Sequence, residues 1–293
     1  MDVEIEIKKG YKMTKLGWIP KDWDNYEIGD ICNALGGYAF KSKLMSNDKL
    51  EYQVVKMSNV YKGTLNLGRS PSYLSRISER EHDYLLKKND VIISLTGTIG
   101  KRDYGYSVII KDEVNLLLNQ RLCKLVSNDR CTQLFLYYLI KSSRFLYSFF
   151  IIGNGGTGNQ ANVGIKELKE IKIPLPPLPE QKKIANILSS ADKTIETTQA
   201  LIQNLQLRKK GLIQQLLSAK KRLPGFSEEW ENTRIGNIAK EYSVKNKEDN
   251  AIDVLSCTKY YGLVPSLEYF GRKVYGDDLT KYKIVPKGYF AYA

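Results

Sequence analysis

Residues 159–195 read NQANVGIKELKEIKIPLPPLPEQKKIANILSSADKTI. The centre of this stretch, PLPPLPEQ (174–181), contains four prolines. It is predicted to be extended, because proline fixes φ and donates no backbone hydrogen bond. Pro179 and Glu180 suit the first turn of a helix, where a missing donor costs little and a carboxylate faces the positive end of the helix dipole. The stretch therefore predicts an extended segment whose end is the start of a helix.

The helix that follows is predicted over residues 179–222, and ~40 residues at 1.5 Å each give a rod of about 60 Å. Apolar side chains recur along it at alternating spacings of four and three, which is the pattern of a coiled-coil seam. The seam comprises Ile184, Leu188, Ala191, Ile195, Ile202, Leu205, Leu212 and Leu216, with Thr198 and Lys209 as polar members in the same register. Such a helix is predicted to need a partner.

Residues 17–178, which precede the helix, are predicted to form a mixed α/β (α+β) domain with an irregular sheet. The best strand candidates are rich in β-branched and aromatic residues and are bounded by glycine-containing loops; they are residues 52–60, 90–97 and 106–111. Residues 134–152 are apolar but contain two charges, so they are predicted to be a buried amphipathic helix. No stretch approaches the ~18 uninterrupted apolar residues of a membrane span.

The chain contains one internal repeat. WDNYEIGDI (23–31) recurs as WENTRIGNI (230–238), and two looser echoes follow in the same order. These echoes pair residues 54–63 with 253–262 and residues 84–94 with 283–293. The predicted organisation is an N-terminal extension (1–16), a first domain (17–178), the long helix (179–222) and an incomplete second copy of the domain (223–293).

Charge and composition restrict the class of protein. The net charge is +13 and the isoelectric point is near 9.3, which favours a polyanionic partner such as nucleic acid, although a basic surface also serves solubility. The four cysteines are scattered and the chain has a single histidine, so no metal site is expected. The N-terminus lacks the apolar core of a signal peptide. A cytoplasmic protein with reduced thiols and no membrane association is predicted.

The stretch 159–195, together with KKGLIQQLLS (209–218), resembles the conserved region of the DNA-specificity subunits of type I restriction–modification systems. GWIPKDW (17–23) with IGDI (28–31) is similar to the start of their domains. LLKKNDVIISLTGTIGK (85–101) is similar to their central strand and loop. The resemblance extends over essentially the whole chain, and LPPLPEQKKIA is its most specific part.

The resemblance implies a function. Members of the family carry two target recognition domains, each of which reads half of a split site on double-stranded DNA, and two long antiparallel helices separate them as a ruler. They scaffold methyltransferase (M) subunits, and restriction (R) subunits join this core. The implied role is a sequence-specific DNA-binding subunit without catalysis, so that no cofactor is expected here and S-adenosylmethionine, ATP and Mg²⁺ belong to the partner subunits.

The sequence is predicted to depart from the family pattern, with a second recognition domain that is cut short and without a second long helix. The exposed seam is therefore predicted to pair with a second copy as a homodimer. Two alternatives stay open: a non-functional truncated subunit, and a coiled-coil adaptor without DNA binding. The adaptor hypothesis accounts for the long helix but leaves the basic domain without a function.

The residues predicted to contact DNA lie on polar or glycine-rich loops of the first domain, where a backbone without a side chain can approach a phosphate. Arg, Lys, Asn and Gln supply most contacts to base edges and phosphates. The candidates are Lys41, Ser42, Lys43, Asn59, Lys62, Thr98, Lys101, Arg102, Asn159, Gln160 and Asn162. Each lysine is also compatible with an ordinary solvated surface charge.

Independent catalysis is not expected. NGGTG (154–158) lacks the GK[ST] ending of a nucleotide-binding loop. An amino-methyltransferase requires an Asn/Asp-Pro-Pro-aromatic motif, and the chain has none. A nuclease requires clustered carboxylates, and no convincing cluster is present. The single histidine, His82, argues against a histidine-based triad.

Overall fold

The computed structural model describes residues 9–153, 159–247 and 253–291. The chain divides into two compact units, Met1–Gln206 and Leu207–Ala293. As predicted, the architecture is mixed α/β, with small sheets, short helices and one helix of 40 residues.

The first unit contains most of the secondary structure. In chain order its elements are β1 (Tyr11–Thr14), β2 (Gly17–Pro20), β3 (Asp24–Glu27), α1 (Ile28–Ile31), β4 (Cys32–Gly36), β5 (Tyr52–Val55), β6 (Tyr73–Leu74), α2 (Glu79–His82), β7 (Val91–Ser94), β8 (Thr96–Thr98), β9 (Ser107–Ile109), β10 (Leu116–Leu118), β11 (Leu122–Ser127), α3 (Gln133–Leu139), α4 (Ser143–Ile152), β12 (Gln160–Asn162), α5 (Ile165–Lys169), β13 (Lys172–Leu175) and α6 (Leu178–Leu217), whose residues from Leu207 onwards belong to the second unit. Short 3₁₀ turns occur at Ser42–Leu44, Met57–Asn59 and Tyr61–Gly63. The β1–β2 hairpin crosses the boundary predicted at residue 16.

The main sheet has four antiparallel strands in the order β4-β11-β7-β9. A three-stranded sheet, β10-β5-β6, lies beside it and contains the parallel pair β10–β5. Two further antiparallel pairs, β12–β8 and β13–β3, complete this part of the domain. The irregular sheet expected from the sequence is thus divided into small, separately paired pieces.

The central strand β7 is buried on both faces. Val91 and Ile93 face one core cluster together with Phe145 and Phe149 of α4, and Ile92 faces a second cluster. Successive side chains of a strand point to opposite faces, so β7 joins the two clusters.

Three element boundaries differ from the sequence-based prediction. The single helix expected over 134–152 is two helices, α3 and α4, because Ser142 caps the second one by accepting a hydrogen bond from the Phe145 N–H at 3.3 Å. The strand expected over 52–60 ends at Val55, and a 3₁₀ turn follows. The long helix ends at Leu217 rather than near 222, since Ala219 adopts a left-handed φ of 59°.

Helix α6 begins at Leu178 with Pro179 in its first turn, as predicted, and its start is held by the domain. Gln181 and Ala185 are buried there. Further along, the Tyr138 hydroxyl donates to an Asp192 carboxylate oxygen at 2.9 Å. Lys111 and Glu196 form an exposed ion pair at 2.8 Å, which contributes ~1 kcal/mol at most.

The face of α6 that packs against the domain differs from the face that carries the predicted coiled-coil seam. Of the seam residues, Ile184 packs against the core. The others are exposed or only partly buried, with 54% of Ile195 and 52% of Leu205 accessible. The seam thus remains available for a partner helix, and its pairing remains a prediction.

The second unit contains α7 (Ile235–Ile238), β14 (Leu255–Thr258), β15 (Gly262–Pro265) and α8 (Ser266–Phe270), with β14 and β15 in a hairpin. IGNI at α7 and IGDI at α1 both form one-turn helices with an extended residue before them. Ile28 and Ile31 are fully buried in the first copy, whereas Ile235 is 78% exposed in the second. Residues 292 and 293 of the last sequence echo lie outside the described residues. None of the described helices could cross a membrane.

Candidate nucleic-acid interface

The strand pair β8–β12 brings together residues that are far apart in the sequence. Gln160 pairs with Thr98, and Asn162 pairs with Thr96, in antiparallel register. The alternation along β12 leaves Gln160 and Asn162 exposed, while Ala161 is buried in the core. Two predicted amides therefore lie on one exposed side, next to a predicted hydroxyl.

A tight turn connects β8 to Asp103. The Arg102 N–H donates to the Thr98 carbonyl at 3.0 Å, and Arg102 adopts a left-handed φ of 47°. The Asp103 carboxylate accepts from the Thr98 N–H at 2.5 Å. A left-handed non-glycine residue costs about 1 kcal/mol or more, so these bonds hold a strained turn in place. The turn presents Lys101 and Arg102 to solvent.

The turn also explains why glycine occupies position 97. A Cβ at Gly97 would lie 2.7 Å from Asp103 Oδ1 and 2.8 Å from Tyr104 Cβ. Tyr104 itself is buried and packs edge-to-face on Phe150 at 5.0 Å. Glycine is required because the backbone of β8 lies directly against the base of the turn.

These elements border an open groove of about 460 Å³. It is lined by Met57, Thr96, Gly97, Thr98, Asp103, Arg121, Asn159 and Gln160. The Arg102 guanidinium lies 5.4 Å from the centroid of the Phe150 ring. Within the described ranges, no ion pair engages Lys101, Arg102 or Arg121. The groove lining thus combines amides, a hydroxyl, the Asp103 carboxylate and the Arg121 cation, while Lys101 and Arg102 lie on the adjoining turn.

The remaining candidates lie elsewhere on the domain. Lys41, Ser42 and Lys43 are exposed around the 3₁₀ turn Ser42–Leu44 and do not line the groove. Lys62 is exposed, in a left-handed conformation with φ 58°.

Asn59 has a structural role, and the structure contradicts its assignment to DNA contact. Its side chain is fully buried, accepts from the Lys56 N–H at 2.8 Å, and donates to the carbonyls of Asn66 and Arg69 at 2.9 and 2.8 Å. The oxygen and the nitrogen of the Asn59 amide are thus both hydrogen-bonded within the loop and are not available to a base.

Arg121 was missed by the sequence reasoning, which searched for basic residues beside glycines. Arg121 follows Asn119 and Gln120, with no glycine nearby. Met57 and Asp103 were missed as well, because a thioether and a carboxylate carry no signal for binding an anion. Only the fold shows that these residues border the groove.

The buried thiols offer no reactive centre. Burial raises the pKa of Cys32, Cys123 and Cys131 to about 12, so they stay protonated at neutral pH. In the part of the chain that the structure describes, no group of His, Cys, Asp and Glu residues is placed to hold a metal ion. NGGTG (154–158) lies outside the described residues.

Comparison with known proteins gives consistent matches. Residues 20–207 match the family described as the type I restriction modification DNA specificity domain. The putative type I restriction enzyme MjaX specificity subunit of Methanocaldococcus jannaschii is 27% identical over 243 residues, which cover 78% of this chain and 56% of that protein. The type I restriction enzyme EcoBI specificity subunit of Escherichia coli is 27% identical over 202 residues, covering 69% and 39%.

A solved structure, the S subunit of a type I restriction–modification system from M. genitalium, has the same fold. The TM-score is 0.50 at 22% identity, and the match covers 67% of this chain and 46% of that one. The chain thus spans about half the length of the first curated relatives it matches. Since the family match includes 188 of the 293 residues (207 − 20 + 1), the chain belongs to the type I restriction–modification DNA specificity domain family.

Proposed function

We propose that this chain is a non-catalytic specificity subunit that reads one half of a split site on double-stranded DNA. The observation that carries the proposal is the groove at β8–β12, whose lining includes Arg121, exposed Gln160 and half-buried Thr98, with exposed Lys101 and Arg102 on the adjoining turn.

The chemistry of the groove suits a duplex. Amides such as those of Gln160 and Asn162 can pair with the edge of adenine, while Arg and Lys pair with guanine or with phosphate. Cations that are not already neutralised by carboxylates gain the most from releasing counterions on binding. The rigid turn after Thr98 limits the ordering cost of that contact.

The chemical steps would belong to other subunits. We propose that methyltransferase subunits, with S-adenosylmethionine, and restriction subunits, with ATP and Mg²⁺, assemble on this chain in the cytoplasm. A target adenine inside a duplex must leave the stack to be methylated, so the reader and the catalyst would act on the same site.

We assign residues 17–178 to a first target recognition domain and residues 179–222 to a spacer. Residues 223–293 would be the opening of a second recognition domain. The shared one-turn helix of IGDI and IGNI supports this duplication.

The exposed seam of α6 is proposed to pair with the same helix of a second copy. Symmetric pairing would produce a palindromic split site, because operator symmetry mirrors the two-fold symmetry of the protein. Light scattering at micromolar concentration should give the mass of a dimer, and a monomer mass would exclude this pairing.

The decisive experiment is co-expression with the host's adenine methyltransferase subunit, followed by methylation sequencing of random DNA. We expect a methylated split motif. Methylation without a consistent motif, or none at all, would contradict the proposal.

The contribution of the groove can be measured by the salt dependence of DNA binding. Replacing Lys101 and Arg102 by alanine should lower the slope of log K against log salt by about 2, or roughly 0.9 per lost phosphate contact. The matched control replaces Lys12 and Lys88, which are paired with Asp24 and Asp112 at 2.8 and 2.7 Å. This control should leave the slope almost unchanged, and equal effects of the two double variants would argue against the groove.

A further inference from the structure

The loop that begins at Met57, on the edge of the groove, is braced by the buried Asn59. Besides the three side-chain bonds of Asn59, its carbonyl accepts from the Asn66 N–H at 2.7 Å. The Gln53 side chain donates to the Leu67 carbonyl at 2.7 Å. Because the Arg69 carbonyl is itself bonded to Asn59, the backbone of Arg69 is fixed relative to the turn at Met57–Asn59.

The side chain of Arg69 is oriented as well. Its guanidinium carbon lies 4.8 Å from the centroid of the Tyr61 ring. Tyr61 is packed edge-to-face against Tyr106 at 5.4 Å, with an interplanar angle of 75°. The Lys62 ammonium lies 5.7 Å from the Tyr61 ring. Tyr61 thus supports Arg69, and Tyr106 holds Tyr61.

The hydrogen-bonding groups of Arg69 remain free. Arg69 is exposed, and among the described residues no side-chain hydrogen bond or ion pair engages its guanidinium. Stacking on an aromatic ring occupies the face of the guanidinium and leaves its planar fork of N–H donors unused. An arginine in this state has already lost much of the rotational freedom that binding would otherwise cost.

We propose that Arg69 is a specificity-determining residue that reads a guanine by donating two hydrogen bonds to O6 and N7 in the major groove. The proposal rests on the proposed function, since it names one base contact of the same DNA-reading domain. A planar fork held by Tyr61 matches the two acceptors of guanine, a pairing that a flexible lysine reproduces poorly. Lys62 carries a compact ammonium without a planar fork of donors, so it suits a phosphate instead.

The test uses the full chain with its methyltransferase subunit and compares the methylated motifs of five proteins: wild type, Arg69→Ala, Arg69→Lys, Tyr61→Leu and Lys62→Ala. Arg69→Ala and Arg69→Lys should both lose about 10- to 100-fold discrimination at one and the same guanine, with the other positions unchanged. Tyr61→Leu, which removes the supporting ring, should weaken discrimination at that guanine less. Lys62→Ala should lower binding to all sequences equally.

The outcomes separate this proposal from the function on which it rests. A wild-type protein without a motif refutes the proposed function and the guanine contact with it. A wild-type motif that Arg69→Ala leaves intact refutes the guanine contact alone. If Arg69→Lys restores the motif lost in Arg69→Ala, the contact is a phosphate contact and the proposal is wrong. Thermal unfolding of the Arg69 and Lys62 variants should match wild type, because both side chains are exposed. Tyr61→Leu removes a ring that packs against Tyr106, so thermal unfolding first establishes that this variant is folded. A motif unchanged in the folded Tyr61→Leu protein refutes the supporting role of the ring.

Discussion

Replacing Gln181 by alanine should weaken the attachment of the start of the long helix to the domain that precedes it. Gln181 is fully buried, and each of its side-chain polar groups is bonded to backbone. Its oxygen accepts from the Thr132 N–H at 2.9 Å. Its amide nitrogen donates to the carbonyls of Arg130 and Pro176, both at 2.9 Å. One glutamine thus connects the loop before α3, the end of the proline-rich segment and α6.

The expected cost follows from these three bonds. A hydrogen bond contributes about 1 kcal/mol net, and a buried group left without its partner costs ~1–3 kcal/mol. Water can reach part of this site after truncation, so we expect a total near 3 kcal/mol. For a unit of this size, that corresponds to a decrease of roughly 6–12 °C in Tm, at about 2–4 °C per kcal/mol.

Urea unfolding followed by tryptophan fluorescence would measure this loss. Trp23 is a local probe, because its indole N–H donates to Glu180 at 2.9 Å, one residue before Gln181. The matched control is Gln203→Ala, an exposed glutamine of the same helix, which should change stability by less than about 0.5 kcal/mol. The reasoning is refuted if the two alanine variants differ by less than about 1 kcal/mol.

Three further predictions concern a close backbone contact and the cysteine thiols. Gly37→Ala should destabilise the first unit by about 3 kcal/mol, because a Cβ there would overlap the backbone carbonyl of Asn119. The control Gly100→Ala should be close to neutral, because a Cβ there meets no neighbour. Thermal unfolding of both variants measures the difference. Iodoacetamide at pH 8 should modify the exposed Cys257 and spare the three buried thiols, as counted by mass spectrometry. Burial raises the pKa of those thiols from 9.0 to about 12, so unfolded chains ionise them first, and stability should persist below pH 9 and fall as the pH rises towards 12. Stability that rises across this pH range, or labelling of Cys123 in the native state, would contradict the burial of the thiols.

The long helix and the mixed α/β class could be predicted because their signals are local. Prolines at 174–179 prevent a helix, Pro179 begins one, and the residues after it repeat with helical periodicity. The side by which the helix docks could not be predicted in this way. In the sequence, Gln181 cannot be distinguished from a solvent-facing helical glutamine. Its three backbone partners are brought to it only by the tertiary fold.

The residues that border the groove at β8–β12 could be predicted only in part, for the same reason. Thr98, Lys101 and Gln160 lie near glycines that mark loops, and β8–β12 joins these loops. Asn59 carried the same loop signal, yet its amide is used inside the protein. Nothing in the sequence around Arg69 indicates a role in binding, because the orientation of its side chain depends on Tyr61, eight residues earlier, and on Tyr106, which is distant in the sequence.

The pairing of β3 with β13 brings the beginning and the end of the domain that precedes α6 to one place. Asp24 lies opposite Leu175, and Glu27 lies opposite Lys172, immediately before the chain enters α6. A domain whose two ends meet in a short antiparallel strand pair can be inserted into another chain. It can also be replaced by a different sequence between the same two strands without altering the flanking helix. Residues 28–171 are therefore expected to be replaceable as one segment, provided that the replacement is compatible with the β3–β13 pair and with the first turns of α6.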